Sequence, residues 1–107
     1  MSRKKLERLL KDLKSGLEML YGSRMCGVYL FGSYARGEQD AESDLDILIV
    51  LSHYERYSAE IELTGELVSS LSLKYGVSIS RKIITEGHWA NLDSVLLRNV
   101  RAEAIAV

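Results

Sequence analysis

Leu6, Leu9, Leu10, Leu13, Leu17 and Leu20 recur at intervals of three and four, so residues 3 to 21 have one apolar face and one charged face. That period predicts an amphipathic helix, and Gly22 supplies its stop. The pattern then changes. Met25 to Phe31 reads MCGVYLF, a short run rich in β-formers that ends at Gly32 and predicts a buried strand. A turn or short helix follows. Residues 45 to 51, LDILIVL, are too apolar to offer either face to water and predict a second buried strand. From about Ser58 to Tyr75, the residues Ile61, Leu63, Leu67, Val68, Leu71 and Leu73 form a broad helical stripe, interrupted by Gly65 and closed by Gly76. Val77, Ile79, Ile83 and Ile84 predict a third strand between 77 and 85. Trp89, Leu92, Val95, Leu96 and Val100 predict a last helix from about His88 to Ala102. Ile105 and Val107 lie beyond the obvious core, as a final strand, a frayed end or a docking segment for a partner, with the first two preferred.

This order of elements implies an α/β (α+β) fold in which a small mixed sheet of about three to four strands is packed by helices. At 107 residues the chain reads as one domain, 1 to 107. Hydrophobic residues at 47% and charged residues at 27% are ordinary globular usage, and no apolar run approaches the roughly 20 residues that span a bilayer. No membrane partner is expected. Cys26 stands alone, so no intrachain disulfide forms, and it reads as a small core residue. With no apolar leader segment at the start, a cytoplasmic location is expected. His53 and His88 are too few for a zinc site built from Cys and His.

Charge changes the picture only locally. The net charge of −1 gives no general attraction to nucleic acid, and none is expected as a direct partner. Arg3, Lys4, Lys5, Arg8, Lys11 and Lys14 read as the solvated face of the first helix. The stretch from 38 to 46 is different: it holds Glu38, Asp40, Glu42, Asp44 and Asp46 and no base. On a strand, Asp44 and Asp46 share a face with α-carbons roughly 6 to 7 Å apart. Two such charges at the start of an apolar strand repel each other and lose hydration unless a cation lies between them, and no lysine or arginine occurs from 38 to 55. Oxygen-only ligands favour a hard ion such as Mg²⁺, which completes its shell with water and substrate phosphate.

Gly32 and Ser33 end the preceding strand. Such a junction offers unpaired backbone N–H groups, room for a phosphate to approach and a hydroxyl donor. If the two strands are neighbours, this cradle and the two carboxylates meet at one sheet edge and can grip a nucleoside triphosphate. Gly32 to Gly37 is not followed by Lys-Ser or Lys-Thr, so a Walker A loop is excluded. Arg36 either neutralises the polyphosphate, the preferred role, or pairs with Glu38, Asp40 or Glu42. Tyr34 and Tyr54 read as loop packing in preference to base contacts.

Gly32-Ser33, ten intervening residues, then Asp44-Leu45-Asp46, in the settings GSYARG and SDLDILIV, resembles the signature of the minimal nucleotidyltransferases of the DNA polymerase β superfamily. The resemblance implies a polymerase β palm-like fold. It also implies Mg²⁺ on Asp44 and Asp46 as the catalytic pair, ATP phosphates at Gly32 and Ser33, and transfer of NMP from NTP with release of pyrophosphate. The minimal family is similar to antitoxins encoded beside HEPN ribonuclease toxins, in which AMP is placed on a toxin tyrosine and silences it. The catalytic core takes up nearly the whole chain, so another protein is expected to supply the acceptor. One departure stands out. Many superfamily members carry a third carboxylate on the next strand, and here that strand reads VSISRKII, with Ser78 and Ser80 at the plausible positions. Water or a partner group completes the site, or Glu86 reaches back, or activity is reduced. The competing reading is a catalytically weak or inactive module of the same fold that neutralises its partner by binding alone.

Overall fold

The strand LDILIVL decides the architecture, because a run that is apolar on both faces must lie at the centre of a sheet covered on both sides. The computed structural model describes residues 1 to 91 and 94 to 107. In it this run is β2 (Leu45–Leu51), with Leu45, Ile47, Leu48, Ile49 and Leu51 fully buried. Its neighbours are β1 (Met25–Phe31), antiparallel, and β3 (Ile79–Thr85), parallel. A short β4 (Ile105–Ala106) pairs antiparallel with Leu30 and Tyr29 of β1, which gives the order β3-β2-β1-β4. The mixed four-stranded sheet agrees with the expected fold class, and the final strand with the preferred reading of the chain end.

Two helices cover one face. The first, α1 (Arg3–Tyr21), opens on Ser2, whose hydroxyl accepts the Lys5 backbone N–H at 3.1 Å. It buries Leu9, Leu13 and Leu17 against Val28, Leu30, Ile47 and Ile49. Each such leucine stabilises the fold by about 1.5–3 kcal/mol. A short α2 (Ser33–Arg36) follows β1, where a turn or short helix is predicted. The long α3 (Tyr57–Tyr75) returns the chain from β2 to the parallel β3.

Here the predicted stripe is corrected. Leu63 and Leu73 are exposed, at 42% and 85%, and the buried face of α3 runs Glu60, Thr64, Val68, Leu71, Tyr75. The polar members are buried with partners: Glu60 accepts two hydrogen bonds from Arg24, each at 3.2 Å, and the Thr64 hydroxyl accepts from Arg81 Nε at 2.7 Å. Apolar periodicity cannot register a face held by hydrogen bonds.

The opposite sheet face is covered by α4 (Glu86–Asn91) and α5 (Val95–Glu103), whose Trp89 and Val100 pack on Phe31, Leu48 and Val50. The single last helix expected from His88 to Ala102 is therefore two. Ser94 caps the second, accepting the Leu97 N–H at 3.0 Å. Leu92, part of the predicted stripe, lies outside the described residues. Cys26 is exposed, against expectation: it sits where the β1–β2 register shifts between Met25 and Gly27, so it does not continue the strand's alternation into the core. Among the described residues no helix is long and apolar enough to cross a membrane.

Candidate active site

Residues of β1 to β3 alternate between the two faces. Register pairs Phe31 with Asp46 and Asp46 with Ser80, so Asp46, Ser80 and, two residues further, Lys82 belong to the face that α4 and α5 cover. Those helices bury Leu48 and Val50, yet Asp46 is half-buried and Ser80 and Lys82 are exposed. The uncovered end of this face is the candidate site.

Gly32 closes it on one side. Its backbone takes φ 77° and ψ −158°, a region essentially reserved for glycine, and a β-carbon built there would collide with Asp46 Oδ2. The Gly32 backbone therefore lies directly against Asp46, one of the two carboxylates expected beside the bend. Ser33 opens α2 with both Ala35 and Arg36 donating to the Gly32 carbonyl, at 3.1 Å each.

Burial, and after it the charge of Asp44, raises the Asp46 carboxyl above the usual carboxylate range, while Arg36 and Lys82 pull it down. Asp44 itself is exposed and lines a hollow of about 270 Å³ together with Tyr34, Ser43, Tyr75 and Ser78. The linear sequence places no base between 38 and 55, but the sheet brings Lys82 into electrostatic reach from β3. Lys82 is thus a site residue that local reading misses; only the parallel register reveals it. The compensation is incomplete, since Asp46 remains raised.

The donor set fits a hard divalent ion. Two carboxylates stand together under mutual repulsion, and among the described residues no group of three or more His, Cys, Asp or Glu side chains is arranged to hold a metal. A two-carboxylate seat that leaves most positions to water and phosphate is what Mg²⁺ tolerates and Zn²⁺ does not.

Arg36 donates from Nε to Glu38 at 2.6 Å and from Nη1 to Glu103 at 2.9 Å. The pairing with Glu38 was one of its two predicted roles; Asp40 and Glu42 are not its partners. Glu103, unflagged by the sequence, also accepts the Gly32 backbone N–H at 3.0 Å, so that N–H is not unpaired as the sequence reading expects. The Arg36 guanidinium, then the Gly32 N–H, lower its carboxyl below the ordinary range. Glu86 does not reach the site. It follows β3 at the far end of the sheet, its Oε2 3.7 Å from Cys26 Sγ. Tyr34 is buried in the core from α2 and helps to line the hollow beside Asp44, and Tyr54 donates to the Ile83 carbonyl at 3.4 Å.

Comparison with known proteins places the chain in a family. Residues 4–100 match the family described as "Nucleotidyltransferase domain". The chain belongs to the nucleotidyltransferase family. This nucleotidyltransferase is 38% identical over 80 residues to the "Putative protein adenylyltransferase MJ0604" of Methanocaldococcus jannaschii, covering 75% of the chain and 74% of that relative. It superposes on a structure described as a "putative minimal nucleotidyltransferase" with a TM-score of 0.60 and 27% identity, covering all of both chains. The fold is shared as well with a toxin-antitoxin structure containing AMP-PNP, at a TM-score of 0.57 and 24% identity over 99% of this chain and 72% of that one. These likenesses make it a minimal nucleotidyltransferase.

Proposed function

We propose that this nucleotidyltransferase is an antitoxin protein adenylyltransferase: it moves AMP from ATP to a tyrosine hydroxyl of a partner HEPN ribonuclease toxin, releases pyrophosphate and silences the toxin. The observation that carries the reading is the contact between the Gly32-Ser33 bend and Asp46 at the open end of the sheet. The names of the relatives, protein adenylyltransferases, and a fold neighbour from a toxin-antitoxin complex with AMP-PNP support the substrate and partner classes.

In this reading Asp44 and Asp46 hold Mg²⁺, and Ser33 with the Gly32 bend orients the triphosphate. Arg36 lies close enough to Asp46 for its charge to be felt there and adds positive charge beside the polyphosphate. When bound, Mg²⁺ supplies neutralisation of the charge that develops on the phosphoryl oxygens. The tyrosine oxygen attacks the α-phosphorus, the bond from that phosphorus to the oxygen bridging toward the β-phosphate breaks, and pyrophosphate leaves with the electron pair. The phenolic proton passes to water, since Ser80 stands where a carboxylate base would face Asp46 and Glu86 is remote. An AMP on the toxin adds bulk and negative charge where an RNA phosphate must bind, and it persists after the two proteins separate.

Mixing the purified protein with Mg²⁺, α-labelled ATP and the HEPN protein encoded beside it tests the reading. Label appears on the toxin and disappears in Asp44→Asn and Asp46→Asn. The serine opposite Asp46 favours one second reading, a weak or inactive module acting by binding alone; a tight complex without label transfer selects it. Label on a small molecule or RNA end refutes both.

A further inference from the structure

Glu103 reaches the nucleotide bend from 71 positions away in the chain. Its two carboxylate oxygens are divided between two donors: Oε1 takes the Gly32 backbone N–H and Oε2 takes Arg36 Nη1. Glu38 takes Arg36 Nε. The guanidinium is therefore held at Nε and Nη1, and among the described residues Nη2 has no hydrogen-bond partner and can take a further anion. An ion pair this exposed, 45% for Arg36 and 26% for Glu103, adds little to stability by itself. What it fixes is direction, because a planar fork held at two nitrogens presents its third at one angle.

We propose that Glu103 is a positioning residue for the nucleotide: it holds Arg36 and the glycine-only bend at Gly32 in the arrangement that receives the triphosphate. The inference rests on the adenylyl-transfer reading and deepens it. It places a determinant of ATP binding at the C-terminal end of α5, next to β4 and outside the motif. A plain charge effect has the opposite sign. Glu103 adds negative potential at Asp46, so deleting it would on charge alone strengthen binding of Mg²⁺-ATP. A carboxylate that only fills an empty phosphate seat predicts the same strengthening.

The test is a double-mutant cycle on labelled AMP transfer, with KM for Mg²⁺-ATP and kcat read separately. Glu103→Ala raises KM about tenfold with kcat changed by less than about twofold. Glu103→Gln raises KM in the same direction but less, because its amide oxygen keeps an acceptor for Gly32 while its NH2 cannot accept from Arg36. In an Arg36→Ala background, Glu103→Ala adds only the cost of the lost Gly32 contact, clearly less than its effect in the wild type. A lowered KM, losses that add across the cycle, or a fall in melting temperature with KM unmoved each overturns the positioning role. Should Glu103→Ala not fold, Glu103→Gln carries the same comparison. A wild-type protein that transfers no AMP removes the parent reading and this one together; an active wild type with additive losses removes only this one.

Discussion

The carboxylate of Asp46 fills the space that a side chain at Gly32 would need. Strand register sets Asp46 opposite Phe31, and a β-carbon on the next residue would meet Asp46 Oδ2 and lie 3.0 Å from its Cγ. The bend and the acid are therefore one device, since neither can be rebuilt without moving the other.

Gly32→Ala should damage the protein twice. The backbone conformation alone costs a non-glycine residue about 1–3 kcal/mol. Relief of the collision requires Asp46 to turn away, so transfer falls further than stability does. A urea titration should show a folded variant with a lower midpoint, and labelled-AMP transfer should be lost. A variant with near wild-type transfer would mean that the bend and Asp46 work independently.

Asp46→Asn should separate activity from stability. In the folded chain the Asp46 carboxyl is raised, chiefly by burial and then by Asp44. A carboxyl raised on folding binds more protons in the native than in the unfolded state, so stability falls as pH rises from the unfolded value of 3.8 through the folded one. At neutral pH the charge is a cost that asparagine removes. The variant is expected to melt higher than wild type at pH 7, with the difference vanishing below about pH 3.8, while transfer is abolished. Mg²⁺ should raise the melting temperature of wild type more than that of the variant. Calorimetry across pH, with and without Mg²⁺, checks all three.

The first helix and the first two strands are legible because each is written locally. A 3.6-residue period, a continuous apolar run and a fixed interval between Ser33 and Asp44 need no partner to be read. What escaped depends on partners distant in sequence. Lys82 becomes a site residue only through parallel register with Leu48, and Glu103 only through α5 returning over the sheet. The buried face of α3 was misread because Glu60 and Thr64 enter the interior on hydrogen bonds from Arg24 and Arg81, which hydrophobicity does not encode. Cys26 falls at a register irregularity between Met25 and Gly27, which an apolar run does not disclose.

Ser80→Asp should raise activity. Ser80 pairs in register with Asp46, so an aspartate there would place a carboxylate on the same face, beside the two acids. Ser80 is exposed, so the new charge is solvated, and Lys82 two residues on supplies a counter-charge. A positioned general base contributes about 100-fold or more when well aimed; on a strand not shaped for it, an increase of about tenfold in single-turnover AMP transfer is expected. An unchanged rate with an intact fold would show that proton removal does not limit transfer.

The clamp between α1 and the end of α3 should set the acid limb of the stability curve. Asp12 Oδ2 accepts from the Tyr75 hydroxyl at 2.5 Å and from Lys74 Nζ at 3.2 Å. These bonds, Tyr75's first, hold the Asp12 carboxyl below its ordinary 3.8, and the bond to Asp12 raises the Tyr75 phenol above its ordinary 10.0. A lowered carboxyl stabilises above its unfolded value and loses that contribution as pH falls through the folded one. A raised phenol does the reverse at the alkaline end, losing its contribution as pH rises through its folded value. Between roughly pH 5 and 9 the two contributions are flat, so Asp12→Asn should lower the melting temperature there by a constant amount. The gap to wild type should close toward both extremes. Because Tyr75 also lines the hollow beside Asp44, the same variant tests whether this clamp shapes the site: KM for Mg²⁺-ATP should stay within about twofold of wild type if the clamp is structural alone. A gap that widens with acid would invert the sign and exclude a charged Asp12 as the stabilising partner.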